Sequence, residues 1–201
     1  MRVLFAGGGR RISLAKRFVN HGFEVFSYEL DTDAPIKLVG TLIPGVKWGD
    51  PSVVQHIQDA LVQHNIDLVI PLQDKATTIF SSFPATPRVN FPVADEASTS
   101  VCLNKFLFEQ FFTNFMPEIY PFPDKDNRLI LKPTFGCNSG GIKVVDYSDY
   151  LAFSNNNYVA QKYIEQGREI SVDAYFNKQN ELVDLIPRFR LGVHGGEVYK
   201  S

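Results

Sequence analysis

Apolar runs of strand length alternate with segments of helical periodicity over the first seventy residues. Residues 2–6 are an apolar run, and three glycines follow it at positions 7–9. Apolar residues then recur at helical spacing over positions 12–19. This order predicts a β-strand, a glycine turn and an α-helix, which together make one βα unit.

The alternation continues to residue 72. Apolar runs predict strands over 23–30, within 38–48 and over 67–72. Asp50 followed by Pro51 is typical of a helix start, so we predict a helix over 51–64. Because strands that alternate with helices are joined by right-handed crossovers, the first part of the chain is predicted to be a doubly wound, Rossmann-like parallel sheet.

Prolines mark a change of pattern after residue 80. Pro84, Pro87 and Pro92 flank a short predicted strand over 88–91. We therefore place a domain boundary at about Val93, with a Rossmann-like domain over 1–92 and a second domain over 93–201. The second domain is predicted to be α+β with antiparallel strands. Its predicted elements are a helix over 96–112, a proline-rich connector over 116–123, strands over 128–132, 141–145, 158–164, 169–176 and 182–190, and a hairpin turn over 177–180.

Composition narrows the possible partners. Hydrophobic residues make up 44% of the chain and charged residues 21%, as in folded globular proteins. Twenty Lys and Arg against 22 Asp and Glu give a net charge of −2, so we expect neither nucleic acid nor a membrane as a partner. The two cysteines form neither a disulfide framework nor a zinc motif, and no signal-peptide or membrane-spanning run is present. We expect a cytoplasmic protein.

The glycine turn at 7–9 is the first candidate site. Backbone amides between a strand and a helix can hold a phosphate. A dinucleotide site requires GxGxxG, however, and Ile12 stands where the third glycine is needed. Glu29 and Asp31 lie at the right separation to bind a ribose. A nicotinamide cofactor therefore remains an alternative to a turn that only packs the helix against the sheet.

The second candidate is the glycine-rich segment 131–142, LKPTFGCNSGGI, between two predicted strands. Glycines allow several amides to converge on phosphate oxygens, Ser139 adds a hydroxyl donor, and Lys132 adds a positive charge. The segment is not a P-loop, because no GK[ST] ending and no helix follow it. The alternative interpretation is a flexible hairpin with an incidental lysine.

Further candidates lie on both sides of this segment. Lys105 is predicted inside the helix over 96–112, where a lone lysine is usually a solvated charge. The strand over 158–164 breaks before Glu169, which leaves backbone groups suited to the edge of a purine. Arg188 and Arg190 stand two apart on a predicted strand, so they either face a carboxylate or acyl phosphate together or form a solvated strand face.

Taken in this order, these segments resemble the ATP-grasp superfamily, especially proteins related to the carbamoyl-phosphate synthase large subunit and the carboxylate–amine ligases. The resemblance implies that ATP lies between two α+β lobes, with Lys105 and Lys132 on its phosphates. The glycine loop, with Gly136, Ser139, Gly140 and Gly141, would close over the triphosphate. Gln161, Lys162 and Ile164 would face adenine, and Glu169 would bind the ribose.

The family reaction activates a carboxylate as an acyl phosphate at the expense of ATP, with magnesium, before an amine or similar nucleophile attacks. Thr134 and Asn138 depart from the family pattern, which has Arg and Gly there. The magnesium ligands of the family are expected beyond residue 201, so we assign no metal ligands. We expect this chain to be a truncated and inactive part of a ligase that can self-associate through uncovered apolar surface. A non-catalytic nucleotide-binding or regulatory module and a Rossmann-type dehydrogenase or sugar-nucleotide enzyme are the alternatives.

Overall fold

A computed structural model describes residues 1–119, 128–136, 140–153, 157–165, 167–194 and 197–200. The chain separates into two compact units, Met1–Cys102 and Leu103–Ser201, which we call unit 1 and unit 2. The division falls later in the chain than the boundary predicted at Val93. Each unit is described by itself.

Unit 1 contains a four-stranded parallel sheet with the strand order β3-β2-β1-β4. The four predicted strands of this region and its first two helices are present. The strands are β1 (Arg2–Ala6), β2 (Glu24–Glu29), β3 (Thr41–Pro44) and β4 (Leu68–Pro71). The helices are α1 (Ile12–Asn20), α2 (Val53–Gln63), α3 (Asp74–Ser81) and, at the division between the units, α4 (Glu96–Leu103).

Both faces of the unit 1 sheet are buried. Successive side chains of a strand point to opposite faces. Leu4 of β1 therefore belongs to one apolar cluster together with α2, while Phe5 belongs to a second cluster that includes Ala15 of α1. Leu4 and Phe5 are both 0% exposed. This arrangement explains why β1 is a continuous apolar run, as is usual for strands of a doubly covered parallel sheet.

Three local predictions for unit 1 differ from the structure. Helix α2 begins at Val53, two residues later than predicted, although Asp50 accepts hydrogen bonds from the amide and the hydroxyl of Ser52 as an N-cap side chain does. The strand predicted over 88–91 is reduced to a single bridge between Asn90 and Leu68, since flanking prolines have no N–H to donate. Helix α3 was not predicted, because it buries only Ala76 and Phe80.

Unit 2 is built from short antiparallel sheets, as predicted. A three-stranded sheet has the order β6-β5-β7, and two hairpins pair β8 with β9 and β10 with β11. The elements are α5 (Lys105–Phe111), β5 (Leu129–Pro133), β6 (Lys143–Val145), α6 (Tyr147–Phe153), β7 (Tyr158–Lys162), β8 (Ile170–Phe176), β9 (Leu182–Phe189), β10 (Gly192–His194) and β11 (Glu197–Lys200). Residues 120–123 of the connector predicted over 116–123 lie outside the described residues.

The helix predicted over 96–112 is broken at Asn104. This residue has an extended backbone, and its side-chain oxygen accepts hydrogen bonds from the amides of Phe106 and Leu107 at 3.0 and 3.2 Å. Asn104 is thus the N-cap of α5, a role for which asparagine is among the preferred residues. The break places Lys105 at the first position of a new helix.

The β8–β9 hairpin exposes large apolar side chains. Val172 of β8 is 55% exposed and Leu185 of β9 is 52% exposed. Large exposed apolar surfaces usually mark contact surfaces, and such a surface was expected from the sequence. Among the described residues, no helix combines the length and the apolar character needed to cross a membrane.

Candidate functional site

One face of the β6-β5-β7 sheet carries the apolar core of unit 2, and the other carries polar side chains. Leu129, Leu131 and Ala160 are buried in a cluster that includes tyrosines of α6. Because side chains alternate along a strand, Lys132 points away from Leu131 to the opposite face. Gln161 pairs with Ile130 across the sheet, which makes it a diagonal neighbour of Lys132 on that face.

Lys132 and Gln161 are joined on this face by a hydrogen bond. The Lys132 Nζ donates to Gln161 Oε1 at 2.6 Å. Gln161 is 1% exposed, so its side chain lies inside the unit. Burial lowers the pKa of the Lys132 ammonium, and the nearby positive charge of Lys105 lowers it further. Opposing these effects, the carboxylates of Glu109 and Glu169 raise the same pKa.

Glu109 of α5 completes this polar group. It is not among the site residues predicted from the sequence. The residue is 4% exposed, and burial raises the pKa of its carboxyl group. A hydrogen bond from Gln161 and the charge of Lys132 act in the opposite direction. A charged residue within the apolar run FLFEQFF was the available signal, because a carboxylate on a buried helix face needs a polar partner.

Lys105 lies beside the glycine-rich loop. Its backbone amide donates to the carbonyl of Thr134 at 3.0 Å, and its Nζ donates to the carbonyl of Gly136 at 2.8 Å. These bonds hold the start of α5 against the chain that leaves β5. The positive charge of Lys105 also lowers the pKa of Lys132, so the two lysines predicted to share a site are within electrostatic reach of each other.

The glycine loop lies between two antiparallel strands, as the sequence predicts. Gly136 and Gly141 have φ angles of +121° and +76°, a region that side chains rarely allow. A Cβ atom on Gly136 would meet no atom within 4 Å, so the space beside it is open. Gly140 is an exposed turn residue, whereas Ser139 lies outside the described residues.

The residues predicted to face adenine and ribose have different environments. The Nζ of Lys162 lies 3.6 Å from a carboxylate oxygen of Glu118. Ile164 is 62% exposed, in contrast to the buried Gln161. Glu169 precedes β8 and lies within electrostatic reach of Lys132. A ligand therefore has direct access to Ile164, while Gln161 faces Lys132.

Arg188 and Arg190 both form ion pairs with acids on or just before β8. Arg188 Nε lies 2.8 Å from Asp173 Oδ2, and Arg190 Nε lies 3.0 Å from Glu169 Oε2. Arg188 holds the pKa of the Asp173 carboxyl below its usual value. A substrate carboxylate at either guanidinium would have to share it with these acids.

The glycine turn of unit 1 binds one of the protein's own carboxylates. Glu29 accepts a hydrogen bond from the hydroxyl of Ser27 at 2.7 Å, and its carboxylate lies against the turn, where the amides of Gly8 and Gly9 lower the pKa of the carboxyl group. Burial still raises the pKa of Glu29. Because the amides that would hold a phosphate are already used, this geometry does not support the dinucleotide alternative.

A protein-family model matches the residues of unit 2. The model of the ATP-grasp domain family matches residues 102–199. This match covers just under half of the chain and supports the ATP-grasp relationship predicted from the sequence. No curated protein matches the sequence significantly.

Several solved structures share the fold of this chain. The chain superposes on an L-amino acid ligase from Bacillus licheniformis with a TM-score of 0.70 and 14% identity, over 99% of this chain and 52% of that one. N5-carboxyaminoimidazole synthetase from Staphylococcus aureus, solved with ADP, superposes with a TM-score of 0.63 and 14% identity, over 92% of this chain and 53% of that one. The biotin carboxylase domain of a Hydrogenobacter thermophilus 2-oxoglutarate carboxylase was solved with MgADP and bicarbonate. It superposes with a TM-score of 0.64 and 13% identity, over 92% of this chain and 48% of that one. The chain thus spans about half the length of these structures.

The described residues contain no group of three or more His, Cys, Asp or Glu side chains placed to hold a metal ion. The carboxylates nearest the lysines are Glu109, which is buried beside Gln161, and Glu169, which pairs with Arg190. This donor set does not fit magnesium, which prefers several free oxygen ligands. The lysines and the open glycine loop of the ATP-grasp unit do suit phosphate oxygens.

Proposed function

We propose that unit 2 binds the phosphates of ATP through Lys105 and Lys132, as part of a ligase that activates a carboxylate. The observation that carries this proposal is that lysines from different elements, α5 and β5, act on each other electrostatically while Lys105 Nζ donates to the carbonyl of Gly136, beside which the space is open. The two ammonium groups repel each other, and an anion bound to both would offset that repulsion. A polyphosphate supplies that anion.

The remaining candidates are assigned around this pair. Backbone amides of the loop, with Gly136, Ser139, Gly140 and Gly141, would donate to the phosphates. Lys162 and Ile164 would lie beside adenine together with the β7 backbone near Gln161, and Glu169 would accept from ribose hydroxyls. Arg188 and Arg190 are proposed to orient a small carboxylate by exchanging partners with Asp173 and Glu169.

ATP would supply the phosphoryl group that converts a carboxylate into an acyl phosphate, which an amine or similar nucleophile then attacks. The contribution of this chain is positioning and charge compensation. Lys105 and Lys132 would hold the polyphosphate, and the glycine loop would exclude water from it. We assign no step to magnesium.

The direct test is equilibrium binding of ATP by calorimetry. A charge-assisted hydrogen bond contributes about 1.5–3 kcal/mol, so Lys132→Ala should weaken ATP binding roughly ten- to a hundredfold. Lys178→Ala is the matched control, because this exposed lysine lies in the turn between β8 and β9. ATP binding that is unchanged by Lys132→Ala, or preferential binding of NAD by both proteins, would overturn the proposal.

A further inference from the structure

We propose that Glu109 is a positioning residue that acts through Gln161 to hold Lys132 ready for a phosphate. This inference rests on the proposed function of unit 2. It assigns Gln161 to the alignment of Lys132 instead of direct contact with adenine. The three side chains come from α5, β7 and β5, so the arrangement depends on folding that brings three separate elements together.

The donors and acceptors of the three side chains determine which atom of Gln161 faces Lys132 and which faces Glu109. A lysine ammonium has only donors, so the oxygen of the Gln161 amide must face Lys132, as the 2.6 Å contact shows. The amide nitrogen is then left to donate to the Glu109 carboxylate. Glu109 thereby favours the orientation of the Gln161 amide that points its oxygen at Lys132, and its negative charge also acts on Lys132 through space.

An indirect connection leaves the lysine available to a ligand. Where a carboxylate meets a cation directly in this unit, as Glu169 meets Arg190, the two charges satisfy each other. Lys132 uses one of its three N–H donors on Gln161, which leaves two for phosphate oxygens. Glu109 offsets the burial of Lys132 and the repulsion by Lys105 without occupying the position that a phosphate needs.

The second carboxylate oxygen of Glu109 indicates that stability alone does not account for this residue. Glu109 Oε1 is buried and has no hydrogen-bond partner among the described residues. A buried polar atom without a partner destabilises the fold. An apolar side chain would pack on this helix face at lower cost, so we attribute the carboxylate to its effect on Lys132.

The charged groups that act on Lys132 are Glu109, Glu169 and Lys105, and the first of these can be neutralised with little change of shape. Glu109→Gln keeps an oxygen that can accept from Gln161 but removes the charge. Gln161→Met removes the amide between the two side chains and leaves the charges of Glu109 and Lys132 in place. Glu109→Asp restores the charge, and Glu96→Gln is a control on an exposed acid of α4.

The experiment follows the Lys132 side chain by NMR as a function of pH on the full chain, and measures ATP binding in parallel. Glu109→Gln should lower the pKa of Lys132 in the absence of nucleotide, and should weaken ATP binding by roughly three- to tenfold. Gln161→Met should weaken binding similarly, and Glu109→Asp should recover part of the loss. Circular dichroism confirms that each variant is folded.

The two proposals fail in different ways. An unchanged Lys132 titration in folded Glu109→Gln, with ATP still bound by the unsubstituted chain, overturns the role of Glu109 alone. A chain that binds no ATP overturns the proposed function, whatever the titration of Lys132. A lowered pKa with weaker ATP binding in Glu109→Gln, but not in Glu96→Gln, supports both.

Discussion

The central strands of the two units differ in what they leave uncovered. In β1 of unit 1 every residue from Val3 to Ala6 is at most 1% exposed, because helices cover both faces of the parallel sheet. In β5 of unit 2 buried Leu129 and Leu131 alternate with half-buried neighbours, of which Lys132 is one. A strand with only one face in the core can place a charged side chain on the other. We therefore propose the site in unit 2.

The two glycine-rich turns differ in the same way. The turn of unit 1 is closed by Glu29, and a Cβ atom on Gly9 would lie 2.8 Å from its carboxylate oxygen. Beside Gly136 of unit 2 a Cβ atom would meet nothing within 4 Å. A glycine cluster permits an anion site, but the side chains around it determine whether a ligand can use it.

The largest effect that sharpens this comparison is expected in the core of unit 1. Leu4→Ala should reduce the free energy of unfolding by about 2–5 kcal/mol, because the residue is fully buried and the cavity cannot collapse between a sheet and α2. Leu38→Ala is the matched control at 78% exposure, with little expected change. Fluorescence of Trp48, the single tryptophan of the chain, reports the unfolding of unit 1. Equal losses for the two variants would contradict the assigned core.

A smaller effect is expected where α5 begins in unit 2. Asn104→Ala should destabilise the helix by about 1 kcal/mol, because the amides of Phe106 and Leu107 lose their acceptor. Hydrogen exchange of these two amides measures the change. Asn104→Asp preserves an acceptor and should retain protection. If both variants behave like the unsubstituted chain, Asn104 does not cap the helix.

The smallest effect is expected on the exposed hairpin. Leu185→Gln should change the free energy of unfolding by no more than about 0.5 kcal/mol, since half of this side chain is already in contact with solvent. Denaturation followed by circular dichroism at several protein concentrations provides the measurement. A larger, concentration-dependent loss would show that another surface covers β9 in solution, and light scattering would then detect association.

The sequence by itself determined most of the elements, because their signals are local. The continuous apolar run of β1 and the alternation in β5 predict a parallel and an antiparallel sheet respectively, and both are present. The fold class and the ATP-grasp relationship of the second half are confirmed. The roles of the predicted site residues remain proposals, tested by the experiments above.

The tertiary structure decided which polar groups meet. Glu109 and Gln161 lie far apart in the chain and come together only in the folded protein. Asn104 divides a segment whose apolar pattern suits one helix, since its side chain replaces the hydrogen bonds that a continuous helix would make. Glu29 closes the first glycine turn from the adjacent strand. Helix and strand patterns follow from neighbours in sequence, whereas the environment of a charge depends on residues that only folding brings together.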